Sequence, residues 1–472
     1  MKITVIDKRC GDGKSQGMVE YIKKRATNTT FGEKFLYITP YLEQCHSIAG
    51  TKPIEEVIDD SPKYDKNGVI YTDTEYNLGC IRMKHPNQRN TEGTKQESLR
   101  LLMQNREHII STHKLFLDMK LDTLENADKY TLVIDESLEV FDKCDILTPK
   151  QANKLLRLNI LEKQSDGITL CFNRDNFGRH VNLLNGEDAI KDTHYEELAV
   201  LCDNKQLLLV NGNILVWEFS AEILKKFKKV FILTYLFEGR EMSVYLKKHN
   251  IEYEVIKGSS GGKDIAHLVE VLDDVKLNSV GDGAFALSVS KTRRLVGKKG
   301  LKNKPPSRCE YDTDEQFEKA LKRHLRYEAN KELKILSAEE TNDILRRNLH
   351  TIMNNRWKAK SDDRFFTCLE SNKSFIAGKN YRNNWLSFNI KATNLYRTKH
   401  HVAFLMNVFM QPSIKQVCDS ANFEVDADLV ALSHLIQFIF RSALRCNEPI
   451  KVYIPSERMR NLFLDYLDGK YD

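Results

Sequence analysis

Gly11, Asp12, Gly13, Lys14 and Ser15 put two glycines, an ammonium group and a hydroxyl into five consecutive positions. They lie between an apolar run at 2–6 (KITVI) and a stretch of helical character at 16–25 (QGMVEYIKKR). The pattern suits a phosphate chain, which concentrates negative charge and demands many donors in a small volume. Glycines let backbone N–H groups curl around it, a helix start adds partial positive charge, Lys14 can reach the outer phosphates and the Ser15 hydroxyl can ligate magnesium. A second constellation is Asp135 and Glu136, directly after the apolar run at 130–134 (YTLVI). An Asp at the C-terminal edge of a strand can hold a magnesium ion, and the adjacent Glu can polarise an attacking water. Taken alone the acidic pair reads as a solvated strand end; the glycine-lysine segment upstream favours the catalytic reading. A third is 437–445 (QFIFRSALR), read as helical, where Arg441 and Arg445 stand four apart and share a face with Gln437. Guanidinium groups there could stabilise charge on a terminal phosphate, with a basic amphipathic face as the plainer alternative.

Strands and helices must alternate to position these groups. Apolar runs at 2–6, 34–38, 108–110 and 130–134, with a helix at 97–105, predict a parallel sheet covered by helices. Runs at 206–210 and 214–219 flank Asn211 and Gly212, a dipeptide suited to tight hairpins, so roughly 145–220 reads as an antiparallel insertion. The α/β pattern resumes with a strand at 230–233, a helix at 242–248 and a strand at 251–256, where the first domain should end. GSSGG at 258–262 reads as a flexible joint, and 291–306, with seven basic residues and no acid, as an exposed loop. Beyond it the expectations are a helical stretch at 314–355, a strand at 385–389, helices at 399–410 and 427–445, and a strand at 450–454. The fold class expected is α/β, with two parallel-sheet domains, the small antiparallel insertion in the first and the helical segment opening the second.

Composition narrows the function classes. With 472 residues, two or three domains are expected, and a 41% hydrophobic, 29% charged chain is an ordinary globular composition. No apolar run approaches a membrane span and no signal-peptide pattern opens the chain, so a cytoplasmic protein without membrane partners is expected. The ten cysteines contain no CxxC pair, which fits free thiols. His400 and His401 are adjacent and poorly placed to share one metal ion. The net charge of +6 permits nucleic-acid contact without requiring it.

The ordered motifs resemble those of superfamily 2 helicases, and more narrowly the replication-type helicases of bacteriophages. GDGKS resembles motif I; Thr39, Pro40, Leu42 and Gln44 resemble motif Ia; Ser111, Thr112 and His113 resemble motif Ib. LVIDES is similar to motif II, Thr234 with Leu236 to motif III, Thr393 with Asn394 to motif V, and QFIFRSALR to motif VI. Motif IV has two candidates, 286–290 and 365–369. Lys8 stands where a full P-loop has a glycine, a reduction to a GxGK core that is common in superfamily 2 helicases. The chain departs from the family in two places: Phe440 stands where motif VI has a glycine, and motif II continues as Ser137 and Leu138.

The resemblance implies two RecA-like domains, 1–256 and 257–472, with ATP and magnesium bound in the cleft between them. It implies nucleotide binding by Gly11, Asp12, Gly13, Lys14 and Ser15, magnesium ligation by Ser15 and Asp135, and catalytic roles for Lys14, Glu136, Gln437, Arg441 and Arg445. Thr39, Pro40, Thr112, His113, Thr393 and Asn394 would touch nucleic acid, with turn or cap roles the alternative for the threonines, and Thr234 would couple the two sites. The basic loop could line the same track. The implied activity is ATP-dependent translocation or unwinding, with single-stranded or forked DNA the expected track, replication proteins as possible partners and the host cytoplasm as location. A terminase-type packaging ATPase and a non-motor origin-binding protein are the alternatives.

Overall fold

The computed structural model describes residues 1–26, 33–41, 75–77, 82–86, 94–124, 126–180, 192–204, 206–259, 261–274, 277–278, 338–378, 380–389, 395–420 and 423–471, with isolated positions between 313 and 321. The chain divides into two compact units, residues 1–261 with 410–433, and residues 262–409 with 434–472.

In the first unit, β1 (Lys2–Asp7), β2 (Lys34–Thr39), β3 (Glu75–Asn77), β4 (Arg82–Lys84), β5 (Ile109–Thr112) and β6 (Tyr130–Asp135) join two later strands. Among the described residues these form an eight-stranded sheet, parallel except where β3 meets β4. Its inner strands are apolar throughout because both faces are covered. Alternate side chains go to opposite sides: Leu36, Ile38, Leu132 and Ile134 enter one core, while Phe35, Tyr37 and Val133 meet Met18 and Ile22 of the helix Lys14–Ala26 in the other.

Between β6 and the return to this sheet the chain builds β7 (Phe141–Lys143), β8 (Leu161–Lys163), β9 (Thr169–Phe172), β10 (Gln206–Val210) and β11 (Ile214–Glu218). They form the expected antiparallel insertion, in the order β7-β11-β10-β9-β8. Asn211 (φ 50°) and Gly212 (φ 67°) supply the paired left-handed conformations of a tight hairpin turn. A separate core of Leu155, Leu170, Tyr195, Leu198, Leu207 and Trp217 lets the insertion bury its own apolar surface. The main sheet resumes with β12 (Lys229–Thr234) and β13 (Tyr253–Lys257), giving the order β13-β1-β12-β6-β2-β5-β4-β3. The helix Pro412–Ser420, within the stretch assigned to the C-terminal half on sequence grounds, adds Ile414, Val417 and Cys418 to this unit's core.

His108, just before β5, stacks on Phe35 with ring centroids 6.0 Å apart, and its Nδ1 is buried without a hydrogen-bond partner among the described residues. Burial, and then the Lys34 ammonium, hold it down from 6.5 to about 4. The unfolded chain therefore binds this proton more readily than the folded one. Stability that is complete above pH 6.5 should be lost as the pH falls towards about 4. Urea midpoints across that range should slope in the wild type and flatten in His108→Phe; equal slopes would remove His108 as the cause.

The second unit is built on β14 (Val269–Val271), β15 (Arg364–Thr367), β16 (His401–Phe404) and β17 (Ile450–Tyr453), all parallel in the order β14-β17-β16-β15. Two expectations are corrected here. Residues 399–410, read as a helix, contain strand β16, because His401–Phe404 lies between β15 and β17 with Val402, Ala403 and Phe404 fully buried. A short, wholly apolar run carries no period from which helix and strand can be told apart. Residues 385–389, read as a strand, pair only at a single bridge from Trp385 to Phe366, and Ser387 Oγ then donates to Asn389 Oδ1 at 2.5 Å in a local turn. Of the helical stretch 314–355, the described part is the helix Ala338–His350, which widens into a π-turn at Thr351–Arg356.

The glycine-rich joint is less free than its composition suggests. Gly262 is buried, and a Cβ placed on it would lie 1.9 Å from the carbonyl oxygen of Tyr466. Relief requires backbone movement, so Gly262→Ala should destabilise the protein by about 1–3 kcal/mol, the usual range for overpacking. Denaturant unfolding measures this, and an unchanged midpoint would show that residues 262 and 466 separate easily. Among the described residues no helix is long and apolar enough to cross a membrane.

Candidate functional site

The site lies along the C-terminal edge of the eight-stranded sheet, where register aligns several strand ends. Asp7 pairs with Thr234, and Thr39 with Thr112, while β6 ends at Asp135 between β2 and β12. From Asp7 the chain turns through Gly11 (φ 98°) and Gly13 (φ 71°) into the helix Lys14–Ala26. Both glycines hold left-handed conformations that a side chain would strain, and a Cβ at Gly13 would touch nothing within 4 Å, so conformation rather than space demands glycine there. Arg9 braces the turn from inside, its guanidinium reaching Asp12 Oδ1 at 3.2 Å and the carbonyl of Gly261 at 3.3 Å. Asp12 is thus engaged in loop geometry. No acidic residue occupies the first turn of the helix itself.

Lys14 Nζ donates to the carbonyls of Lys8 at 2.8 Å and Arg9 at 3.1 Å, so the ammonium lies across the loop. Ser15 Oγ lies 3.0 and 2.9 Å from the two carboxylate oxygens of Asp135, and the Tyr37 hydroxyl donates to Asp135 Oδ2 at 2.8 Å. Burial, and then the neighbouring Glu136, push Asp135 up to about 6 against the hydrogen bonds from Tyr37 and Ser15 and the charge of Lys14. A carboxylate so short of positive charge, with a hydroxyl in contact, has the oxygen chemistry of a hard divalent ion's ligands. Among the described residues no group of three or more His, Cys, Asp or Glu is arranged for a metal, so Ser15 and Asp135 could hold such an ion only with phosphate oxygens and water completing its shell.

Glu136 has φ 65°, a left-handed conformation uncommon outside glycine, and its N–H is tied to the carbonyl of Leu233 at 2.9 Å. The turn carries the half-buried Glu136 side chain past the end of the strand while Asp135 stays inside it. The sequence thus placed Lys14, Ser15, Asp135 and Glu136 in one constellation, and the fold brings them to one strand edge.

The other expected residues fare differently. His113 is buried and its Nε2 donates to the backbone carbonyl of Asp135 at 2.8 Å, bracing the end of β6. Thr39 is fully buried and donates to the carbonyl of Tyr41 at 2.8 Å, and Thr112 caps the short helix His113–Leu117 through the N–H of Leu115. Both hydroxyls therefore serve local turns, the plainer of the two roles open to them. Pro40 is half-buried after β2, and Thr234 is buried with its carbonyl accepting from Lys8 N–H at 3.0 Å. Leu42, Gln44, Thr393, Asn394 and the basic stretch 291–306 lie outside the described residues.

The helical arginine face is corrected. The helix is Ala427–Ile439, with Gln437 half-buried in its last turn, and Arg441 follows in a turn. Extended Ser442 (ψ −174°) breaks the ladder, and its hydroxyl caps the 3-10 turn Ala443–Cys446 by accepting from Leu444 N–H. Arg441 is buried, Arg445 is exposed, and the two share no helical face; both lie in the second unit. A serine with a local capping option outcompeted the four-residue periodicity.

Tyr37 was missed. Its signal was a phenolic hydroxyl inside a wholly apolar strand, which must find a partner when buried.

Comparison with known proteins adds three findings. Residues 313–467 match the family described as "YonV C-terminal Rossmann-like domain". The chain is 29% identical over 489 residues to the "SPbeta prophage-derived uncharacterized protein YonV" of Bacillus subtilis (strain 168), covering 99% of each. It also aligns with the structure of S. tokodaii Xpd4 at a TM-score of 0.43 and 12% identity, over 98% of this chain and 94% of that one, a distance at which the likeness adds nothing to the site geometry. The chain is thus similar along nearly its whole length to a prophage protein, with a Rossmann-like match confined to its C-terminal third.

Proposed function

We propose that the protein is a magnesium-dependent ATPase whose hydrolysis drives movement along nucleic acid, DNA being the preferred track. One observation carries the reading: the hydroxyl that opens the helix after the glycine-lysine loop touches the buried acid ending β6, at 3.0 and 2.9 Å. That pairing joins a phosphate cradle to a divalent-ion ligand across 120 residues of sequence. Bound magnesium would supply charge neutralisation on the phosphates.

This chain's own residues do the rest. The loop amides and the helix start orient the phosphates, Lys14 leaves the Lys8 and Arg9 carbonyls to grip the outer ones, and Glu136 takes up the proton of the attacking water. Tyr37 and His113 fix the side chain and the backbone of Asp135. Of the two arginines, Arg445 is the exposed one. The preference for ATP follows the superfamily 2 resemblance, and the phage setting agrees with the prophage relative.

The test is phosphate release by the full chain with magnesium and ATP, alone and with single-stranded, duplex and forked DNA and RNA. Stimulation by single-stranded or forked DNA is expected. Turnover that no nucleic acid changes would overturn the motor reading, and absence of ATP binding would overturn the site.

A further inference from the structure

Asp7 is an acid that the hydrolytic chemistry above does not use. It ends β1, directly before the glycine-lysine loop, between Thr234 of β12 and Lys257 of β13. Its Oδ2 accepts the N–H of Phe237 at 3.0 Å. That amide opens the 3-10 turn Phe237–Gly239, which has no side-chain cap of its own. Leu236 stands at φ 52°, left-handed and hence strained for a branched side chain. The Asp7 carboxylate is therefore tied to the turn after β12 at the residue that follows this uncommon conformation. Its other oxygen, Oδ1, is shut off from solvent with no hydrogen-bond partner among the described residues.

Charge links this acid to the loop. The charges of Lys14 and Lys257 act against burial on this carboxyl, and the Lys14 ammonium is held on the carbonyls of Lys8 and Arg9, the two residues after Asp7. We propose that Asp7 is a positioning residue that reports the state of Lys14 to the Thr234–Gly239 segment, holding Leu236 left-handed while the phosphate cradle is empty and releasing it when a polyanion draws Lys14 away. This rests on the nucleotide reading of the same site. An arriving phosphate chain draws the Lys14 charge away from Asp7 and brings negative charge towards it. The carboxylate then turns away or takes up a proton, and either response weakens its bond to the Phe237 amide, because charge-assisted hydrogen bonds are the stronger ones.

The experiment is hydrogen exchange of the peptide containing Leu236–Gly239, with and without a fluorescent non-hydrolysable ATP analogue and magnesium, with analogue binding read in the same samples. In the wild type the analogue should speed exchange at Phe237 by about tenfold, the effect of losing one charge-assisted bond. Asp7→Asn keeps an acceptor oxygen but no charge, and should still bind the analogue while its exchange no longer responds to it. If Asp7→Asn does not fold, Lys14→Ala decides instead, since without the cation the Phe237 amide should already exchange fast in the absence of analogue. Analogue binding with unchanged wild-type exchange, a normal response in Asp7→Asn, or a slow Phe237 amide in analogue-free Lys14→Ala would each overturn the coupling. A wild type that does not bind the analogue would instead overturn the nucleotide reading itself.

Discussion

Lys14→Ala should lower nucleic-acid-stimulated phosphate release by at least about 10²-fold, the scale seen when a preorganised donor to developing negative charge is removed. The side chain is half-buried, belongs to none of the apolar cores of its unit and bonds to the Lys8 and Arg9 carbonyls within its own loop. Its loss should therefore leave packing intact, with an unfolding midpoint within about 4 °C of the wild type. Initial rates over an ATP series, alongside thermal unfolding, separate the two effects. Activity within about tenfold of the wild type would place the phosphate grip elsewhere. A collapsed midpoint would instead mean that the ammonium holds the turn together through its two carbonyl bonds.

Glu136→Gln should slow the chemical step by about 10²–10⁴-fold, the usual contribution of a general base, while leaving nucleotide affinity nearly unchanged. The substitution preserves side-chain length, and the bond from residue 136 N–H to the carbonyl of Leu233 involves only backbone, so the left-handed turn at φ 65° is retained. Single-turnover hydrolysis combined with analogue binding resolves rate from affinity. A loss of binding with an unchanged single-turnover rate would assign Glu136 to the ligand shell. An unchanged rate and affinity together would return the acidic pair to the role of a solvated strand end.

Much of the candidate site was legible from residue types. A glycine-lysine-serine turn between an apolar run and a helix has few other uses, and an acidic pair after YTLVI marks a strand end. The antiparallel insertion announced itself through Asn211 and Gly212, because few residues tolerate two successive left-handed conformations. Helix and strand were confused where no period existed: HVAF is equally apolar on either template, and only its neighbours β15 and β17 made it a strand.

The sequence by itself determined that a glycine-lysine-serine turn and an acidic strand end are present, since those depend on local backbone freedom and on a few charged or hydroxyl side chains. Tertiary structure alone decided which groups meet. Ser15 against Asp135, Tyr37 on the same carboxylate, His113 under its backbone and Asp7 at the turn after β12 span sequence separations that only the register of the sheet closes. It also decided that Arg441 and Arg445 part company, because Ser442 caps its own short turn in preference to extending a helix. Local propensity sets what each segment can become, but the pairing of distant strands and the burial of polar groups depend on the energy of the whole folded unit.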